Sequence, residues 1–150
     1  FRSSAASDVY KRQVTKCAQL SLPEMKIGMI PGSGGSVRLA RMIGLSRVKD
    51  MIMRGKRISG EEAFNWGLAS ELVEKDKLEV TISKLVDELC SVSPLAQRAI
   101  KTVLNTSQDA PLHVAIELEG ETYGRLRSSD DFNEGVKSFV EKRKPVYKGN

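Results

Sequence analysis

Residues 22–44 read LPEMKIGMIPGSGGSVRLARMIG, and this stretch decides how the rest of the chain is interpreted. The run Pro31 to Ser36 is rich in Gly and Ser and predicts a turn. Residues 37–43 follow it with helical spacing, and Gly44 predicts the helix end. A helix that starts directly after a glycine-rich turn points backbone N–H groups and a positive dipole end at whatever occupies the turn.

Glu24 lies in the same stretch, between the apolar residues Leu22 and Met25 and shortly before a second apolar pair at 29–30. Burial removes water from a carboxylate, favours its protonated form and so suits it to proton transfer. We therefore take Glu24 as a candidate acid or base. A Glu after Pro is also a common turn or helix-start residue, and local sequence leaves that alternative open.

The glycines of the turn are a second candidate site, because a residue without a side chain lets a ligand approach the backbone. The turn is not a Walker loop, since no Gly-Lys-Ser/Thr follows it. It is not a dinucleotide fingerprint either, because Val37 occupies the place of the third glycine. A simple tight turn remains the alternative.

Outward from this stretch the chain reads as short strands and many amphipathic helices. Ser46 is a predicted helix cap, Ser59 and Glu62 form a predicted capping box, and Ser93-Pro94 predicts another helix start. Apolar spacing predicts three further helices, at 78–89, 112–126 and 132–140. It also predicts two short strands, at 19–21 and 71–73. So few strands cannot form a sheet, and we expect the helices to cover another subunit or a missing part of the core.

Composition excludes several classes of protein. The chain has 150 residues, of which 40% are hydrophobic and 29% charged, and no apolar run is long enough to span a membrane. Its two cysteines, Cys17 and Cys90, indicate free thiols in an intracellular protein. The single histidine, His113, argues against a metal site, and it is expected to cap a helix or lie at an interface; Trp66 is expected in the core.

Charge is distributed unevenly along the chain. Residues 1–60 carry 12 Lys/Arg and 3 Asp/Glu, whereas residues 61–150 carry 12 and 16. The basic first part suits a phosphate-bearing partner, and a solvated basic face is the alternative. We expect no nucleic acid, because no aromatic residues interleave the basic stretch and no zinc-finger or homeodomain spacing is present.

The two ends of the chain carry separate expectations. Residues 1–13, FRSSAASDVYKRQ, have no helical or alternating pattern and lack a signal-peptide core, so we expect a non-native leader. We expect the natural protein to extend further upstream, which leaves its compartment undecided between cytoplasm and mitochondrion. Near the other end, Phe139 precedes the basic run at 142–144, which suits nucleotide stacking and phosphate attraction or a cation-stabilised helix end.

Three motifs in order resemble the crotonase superfamily, the enoyl-CoA hydratases and isomerases. They are LPEMKIGMIPGSGGSVRLARMIG at 22–44, MIMRGKRISGEEAFNWGLASELV at 51–73 and EGVKSFVEKRKPVYKG at 134–149. The second motif fits the family pattern at Gly55, Ile58, Ala63, Gly67 and Leu68, with Ala69 in the final place. The resemblance covers residues 14–150.

The resemblance implies roles for four residues. Glu24 would be a catalytic acid/base at C2 of the acyl chain, and the N–H of Gly32 would help to hold the catalytic water. Phe139 and Lys142 would contact the coenzyme A bound by a neighbouring subunit. No separate cofactor or metal is implied, because coenzyme A is part of the substrate.

The resemblance also implies a fold, which is α/β: a partial crotonase (ClpP-like) ββα-spiral core followed by a C-terminal helical trimerisation region. Residues 14–73 would be the end of the spiral core, and residues 74–150 the helical oligomerisation region of a homotrimer or hexamer.

The implied activity is the hydration of a 2-enoyl-CoA thioester by the parent protein. Double-bond isomerisation, or a non-catalytic acyl-CoA-binding or assembly subunit, is the alternative. A second carboxylate and the oxyanion-hole amides belong to the family's N-terminal half. We therefore expect this chain to be inactive when isolated.

Overall fold

The computed structural model describes residues 12–150, which form two compact units. The first unit ends at Leu85 and the second spans Val86–Asn150. The predicted boundary between core and helical region, after residue 73, lies earlier than this division. The change of unit falls inside a helix, α4 (Leu78–Cys90).

The first unit contains four short strands in two pairs. Strand β1 (Gln13–Thr15) runs parallel to β4 (Glu71–Val73), with Gln13 opposite Glu71. Strand β2 (Gln19–Leu20) runs antiparallel to β3 (Ile58–Ser59). The parallel pair therefore joins the two ends of a segment that contains the candidate turn and its helix.

Along the chain, three α-helices of the first unit lie between β2 and β4. They are α1 (Gly35–Ile43), α2 (Leu45–Met53) and α3 (Gly60–Asn65), and α4 follows β4 through a 3₁₀ turn at Lys75–Lys77. Their apolar faces form one core cluster with β3: Leu39, Ile43, Val48, Met51, Ile52, Ile58, Ala63 and Leu68. This core fixes where α1 begins, and so fixes the turn in front of it.

Capping signals in the sequence are confirmed at α3 but not at α2. The Ser59 hydroxyl accepts the Glu62 N–H at 3.1 Å, and the Glu62 carboxylate accepts the Ser59 N–H at 2.9 Å. The prediction that Ser46 caps α2 is wrong. Gly44, at φ 86°, is the cap, because its carbonyl already accepts the Val48 N–H, and Ser46 lies inside the helix.

The end of the predicted leader takes part in the fold. Residues 1–11 lie outside the described residues, but the Arg12 guanidinium donates to the Leu68 carbonyl at 2.7 Å, and the Ser70 N–H donates to the Arg12 carbonyl at 2.8 Å. Gln13 belongs to β1. The predicted boundary after residue 13 therefore falls inside a paired strand, and backbone pairing with β4 is the reason.

The second unit is helical throughout its described elements. After the end of α4 come α5 (Pro94–Ser107), α6 (Leu112–Arg127) and α7 (Asp130–Val140). The Ser93 hydroxyl caps α5, as predicted, and the Ser129 hydroxyl caps α7 by accepting the Phe132 N–H at 3.1 Å. Residues 12–150 thus combine short strands with α-helices, in agreement with the α/β prediction.

Many large apolar side chains of the second unit are exposed. The most exposed are Leu112, Phe139 and Val140, at 76%, 85% and 74%. Apolar surface of this extent is typical of a face that meets another protein surface. Among residues 12–150, no helix is both long and apolar enough to cross a lipid bilayer.

Candidate functional site

Glu24 opens a 3₁₀ turn at Glu24–Ile27 that directly follows Pro23. The Lys26 N–H donates to the Pro23 carbonyl at 2.9 Å, and the Met29 N–H donates to the Glu24 carbonyl at 3.1 Å. Gly28 closes the turn in the left-handed region at φ 76°, which favours a residue without a side chain. The backbone of Glu24 is therefore held on both sides.

One oxygen of the Glu24 carboxylate is buried and unpaired in the described part of the chain. The residue is half-buried, and its Oε2 is buried with no hydrogen-bond partner among residues 12–150. An unpaired buried carboxylate oxygen is costly, so it points to a partner that comes from outside these residues, such as a water or a ligand atom. A carboxylate in that condition can accept or deliver a proton.

Two other buried polar atoms lack partners in the described residues, and they differ from Glu24. They are Gln13 Nε2 and Glu71 Oε2. Gln13 and Glu71 are register partners across β1 and β4, so a donor and an acceptor lie on neighbouring strands. Glu24 belongs to no strand and has no register partner of this kind, which leaves it as the candidate site residue.

The glycine-rich turn lies next to the segment that carries Glu24. A Cβ placed on Gly35 would be 4.0 Å from Leu22 Cδ2, so the residue two positions before Glu24 packs against the first residue of α1. Gly32 is exposed, and a Cβ placed there would meet nothing within 4 Å. Its N–H donates to no acceptor among residues 12–150. Gly32 therefore offers an open donor near the start of α1.

The turn itself is stabilised from within the chain. The Gly35 N–H donates to the Gly32 carbonyl at 2.9 Å, and the Arg38 guanidinium donates to the Ser33 carbonyl at 2.9 Å. Ser33 and Gly34 both have positive φ, at 54° and 77°. These contacts fix the turn before any ligand is present.

Part of the predicted basic surface is neutralised by neighbouring carboxylates. Lys56 Nζ lies 3.2 Å from Glu62 and 3.7 Å from Asp50, and Arg54 lies 2.7 Å from Asp50. Lys56 also lies 5.6 Å from the ring centroid of Trp66. Trp66 packs against the core as predicted, and its ring holds cations of the basic stretch in place.

Phe139 and Lys142 belong to the second unit, at the end of α7. Phe139 is 85% exposed, and the Lys142 N–H donates to the Phe139 carbonyl at 3.3 Å. Lys142 is exposed and has φ 53°, in the left-handed region. The two residues that the resemblance assigns to coenzyme A therefore lie on the same chain reversal, joined by a backbone hydrogen bond.

Three charged residues hold the segment after α7: Arg143, from the basic run at 142–144, and Asp131 and Glu134, which the sequence did not single out. Asp131 is 3% exposed and accepts from the Ser93 hydroxyl at 2.6 Å and from the Lys148 and Gly149 N–H groups at 2.8 and 3.0 Å. Glu134 accepts two bonds from the Arg143 guanidinium, at 2.5 and 2.8 Å. Acidic residues early in a helix are common dipole partners, so the sequence carried no local signal of these long-range roles.

Electrostatics follow from these bonds. The Ser93 hydroxyl, together with the two tail N–H groups, holds the pKa of Asp131 below its ordinary value. The Arg143 guanidinium lowers the pKa of Glu134 to about 2, with a further contribution from the Val146 N–H. Both carboxylates therefore stay ionised at neutral pH, and the tail is held by charged acceptors.

A cavity of about 460 Å³ opens beside α7 within the second unit. Its lining is largely apolar and includes Tyr123, Phe132, Val136, Phe139 and Tyr147. His113 is exposed on α6 and does not line the cavity. Residues 12–150 contain no group of His, Cys, Asp and Glu that could hold a metal ion.

Comparison with known proteins gives one consistent result. The family model described as enoyl-CoA hydratase/isomerase matches residues 9–150. Similar sequences include a methylglutaconyl-CoA hydratase of Pyricularia oryzae, 38% identical over 92% of this chain and 44% of its own length. A carnitinyl-CoA dehydratase of Salmonella typhi is 35% identical over 88% of this chain and 52% of its own length.

Solved structures agree with the sequence comparison. An enoyl-CoA hydratase from Bacillus anthracis superimposes with a TM-score of 0.88 at 35% identity, over 92% of this chain and 54% of that protein. An enoyl-CoA hydratase subunit from Geobacillus kaustophilus superimposes with a TM-score of 0.85 at 33% identity. The chain thus spans about half the length of the relatives that it matches. The crotonase fold expected from the sequence is confirmed.

Proposed function

Because the chain belongs to the enoyl-CoA hydratase/isomerase family, we propose that the whole protein hydrates the double bond of a 2-enoyl-CoA thioester. The observation that carries this proposal is the Glu24 carboxylate, whose buried Oε2 has no partner among residues 12–150. Such an oxygen can accept a hydrogen bond from a water or exchange a proton with the acidic C2 of a thioester.

The chemistry requires groups of the kinds found around Glu24. Addition of water across the double bond needs a base for the water, an acid for C2 and donors that stabilise the thioester enolate. In the proposal, Glu24 exchanges a proton with C2, and the open Gly32 N–H helps to orient the water. The second carboxylate and the enolate-stabilising amides would come from the part of the protein that this chain does not span.

Substrate binding in the proposal also uses the second unit. Phe139 would stack on the adenine of coenzyme A, and Lys142 would pair with its phosphates. The proposed assembly is a homotrimer or a hexamer, in which these residues serve a neighbouring subunit. Exposed apolar side chains such as Leu112 and Val140 support a protein partner for the helical region.

The test is a hydration assay with the full-length protein and a short 2-enoyl-CoA. Loss of absorbance of the conjugated thioester reports addition of water. Glu24→Gln keeps the shape of the side chain but cannot exchange the proton, so we expect kcat to fall by a factor of about 10² to 10⁴. Affinity for the acyl-CoA should be nearly unchanged, and near-normal turnover would reject Glu24 as the catalytic residue.

Isomerisation is the alternative that the family description also names. A 3-enoyl-CoA substrate distinguishes the two reactions, because an isomerase produces the conjugated thioester and raises the absorbance. Binding of acyl-CoA without turnover of either substrate would indicate a non-catalytic subunit. The isolated 150-residue chain is expected to turn over neither substrate.

A further inference from the structure

The end of α7 carries a backbone conformation that its sequence does not favour. The Arg143 N–H donates to the Ser138 carbonyl at 3.1 Å, and the Lys142 N–H donates to the Phe139 carbonyl. These two bonds define a Schellman motif, in which the left-handed position is usually Gly. Here that position is Lys142, at φ 53°. A long side chain in the left-handed region is strained, so neighbouring contacts must hold it there.

Glu134 and Arg143 supply those contacts. The Glu134 carboxylate accepts two bonds from the Arg143 guanidinium and also one from the Val146 N–H at 2.8 Å. Glu134 therefore binds the chain after the reversal, at Arg143, nine residues after its own position. The forked geometry of an Arg–carboxylate pair fixes direction as well as distance.

The Glu134–Arg143 pair also determines which of two neighbouring cations, Lys142 or Arg143, is left without an ion pair. Arg143 binds the carboxylates of Glu134 and Glu141, the latter at 2.6 Å. Lys142 lies between Glu141 and Arg143 in the chain and forms no ion pair with any residue of 12–150. Arg143 thus neutralises the nearby carboxylates, and the exposed Lys142 side chain remains without an ion pair three positions after the exposed Phe139.

We propose that Glu134 and Arg143 are positioning residues for the nucleotide end of coenzyme A. They hold the reversal at Lys142, which lies three positions after Phe139, and leave the Lys142 side chain without an ion pair. This inference rests on the proposed function, since it concerns the same acyl-CoA substrate. As positioning residues, they would affect KM for the nucleotide-bearing substrate and leave the chemical step unchanged.

The test compares two substrates of the full-length protein. One is the 2-enoyl-CoA, and the other is the same enoyl group on N-acetylcysteamine, a thioester without the nucleotide. For Glu134→Gln we expect KM for the CoA thioester to rise about tenfold, as for a weakened charged hydrogen bond, with kcat unchanged. The kcat/KM for the short thioester should stay at the wild-type value.

Arg143→Lys is the second variant, because it keeps the charge and loses the fork. It should show the same selective rise in KM even where Glu134→Gln folds poorly. Glu119→Gln is the control, because it makes the same change of carboxylate to amide at an exposed position of α6. It should leave kcat and KM unchanged with both thioesters. An equal loss with both thioesters, or no loss with either, would overturn the proposal.

Binding of free coenzyme A, measured by calorimetry, separates this proposal from the hydratase assignment. If the wild-type protein binds coenzyme A but hydrates nothing, the proposed function fails. Weaker binding by Glu134→Gln and Arg143→Lys would then still support the positioning role. Wild-type affinity in both variants would refute it.

Discussion

Gly60 lies so close to Thr15 that a Cβ at position 60 would be 1.9 Å from the Thr15 carbonyl oxygen. The Gly60 N–H also donates to the Ala18 carbonyl at 2.9 Å. The first residue of α3 is thus in direct backbone contact with the end of β1. A glycine allows this contact because any side chain would occupy the space of a backbone atom.

Gly60→Ala should therefore destabilise the protein strongly. Relief of the clash requires α3 and β1 to separate, and we expect the free energy of unfolding to fall by about 3 kcal/mol or more. Urea denaturation of the full-length protein measures the change. Gly120→Ala is the control, because a Cβ at that position in α6 meets nothing within 4 Å. A Gly60→Ala protein as stable as the wild type would contradict the packing described here.

Gly32→Ala should separate activity from stability. The position has open space for a methyl group and does not need a positive φ, so the melting temperature should be unchanged. In the proposed site the methyl group would crowd the water near the Gly32 N–H, and kcat should fall by about tenfold or more. Gly34→Ala is the contrasting variant, since φ 77° and the Arg38 side chain at 2.7 Å predict a loss of stability. Unaltered kcat for Gly32→Ala would argue against a role for that N–H.

Ser59→Ala should remove half of the capping box at α3. The hydrogen bond from the Ser59 N–H lowers the pKa of Glu62, and a smaller contribution comes from the Lys56 side chain. The carboxylate therefore stays ionised as an acceptor. Loss of the hydroxyl leaves the Glu62 N–H without its acceptor and should cost about 1 kcal/mol in urea denaturation. Ser46→Ala, an exposed position inside α2, should stay within about 0.5 kcal/mol of the wild type. Equal effects of the two substitutions would show that the box contributes nothing.

The Glu134–Arg143 pair predicts a defined pH dependence. The folded-state pKa of Glu134 is about 2, below the ordinary 4.5, so its stabilising contribution is fully present above pH 4.5 and is lost as the pH falls toward 2. The melting temperatures of the wild type and Glu134→Gln should therefore differ at neutral pH and converge toward pH 2. Since other carboxylates titrate in both proteins, the difference isolates Glu134. A difference that is constant across this range would contradict the ion pair.

Local signals in the sequence predicted most helices of this fold correctly. The Ser59–Glu62 and Ser93–Pro94 patterns are short-range, and each identified a helix start that the structure contains. Ser46 failed because a glycine two residues earlier already provides the left-handed end of α1 and the start of α2. Where two start signals compete within one turn, packing of the core decides between them.

Long-range contacts were beyond the sequence. Nothing in the pattern of residues 13–15 shows that they pair with β4, and the irregular segment before them led to the assignment of residues 1–13 to a leader. The roles of Asp131 and Glu134 depend on residues 9 to 38 positions away, which no local pattern connects to them. Glu24 and the glycine-rich turn were candidates from the local sequence, the family resemblance implied the roles of Glu24 and Gly32, and those roles stay predictions.

The parallel pairing of β1 with β4 has a consequence for the order in which the chain acquires structure during synthesis. Gln13 and its partner Glu71 are separated by 58 positions. At a translation rate of about 5–20 residues per second, roughly 3–12 s pass between the synthesis of β1 and the synthesis of β4. Hydrogen exchange on nascent chains stalled at different lengths would test this. The β1 amides should exchange freely in chains from which Glu71 has not yet left the ribosome and be protected in longer ones. During this interval, the edge of β1 that later pairs with β4 is open to a chaperone or another nascent chain.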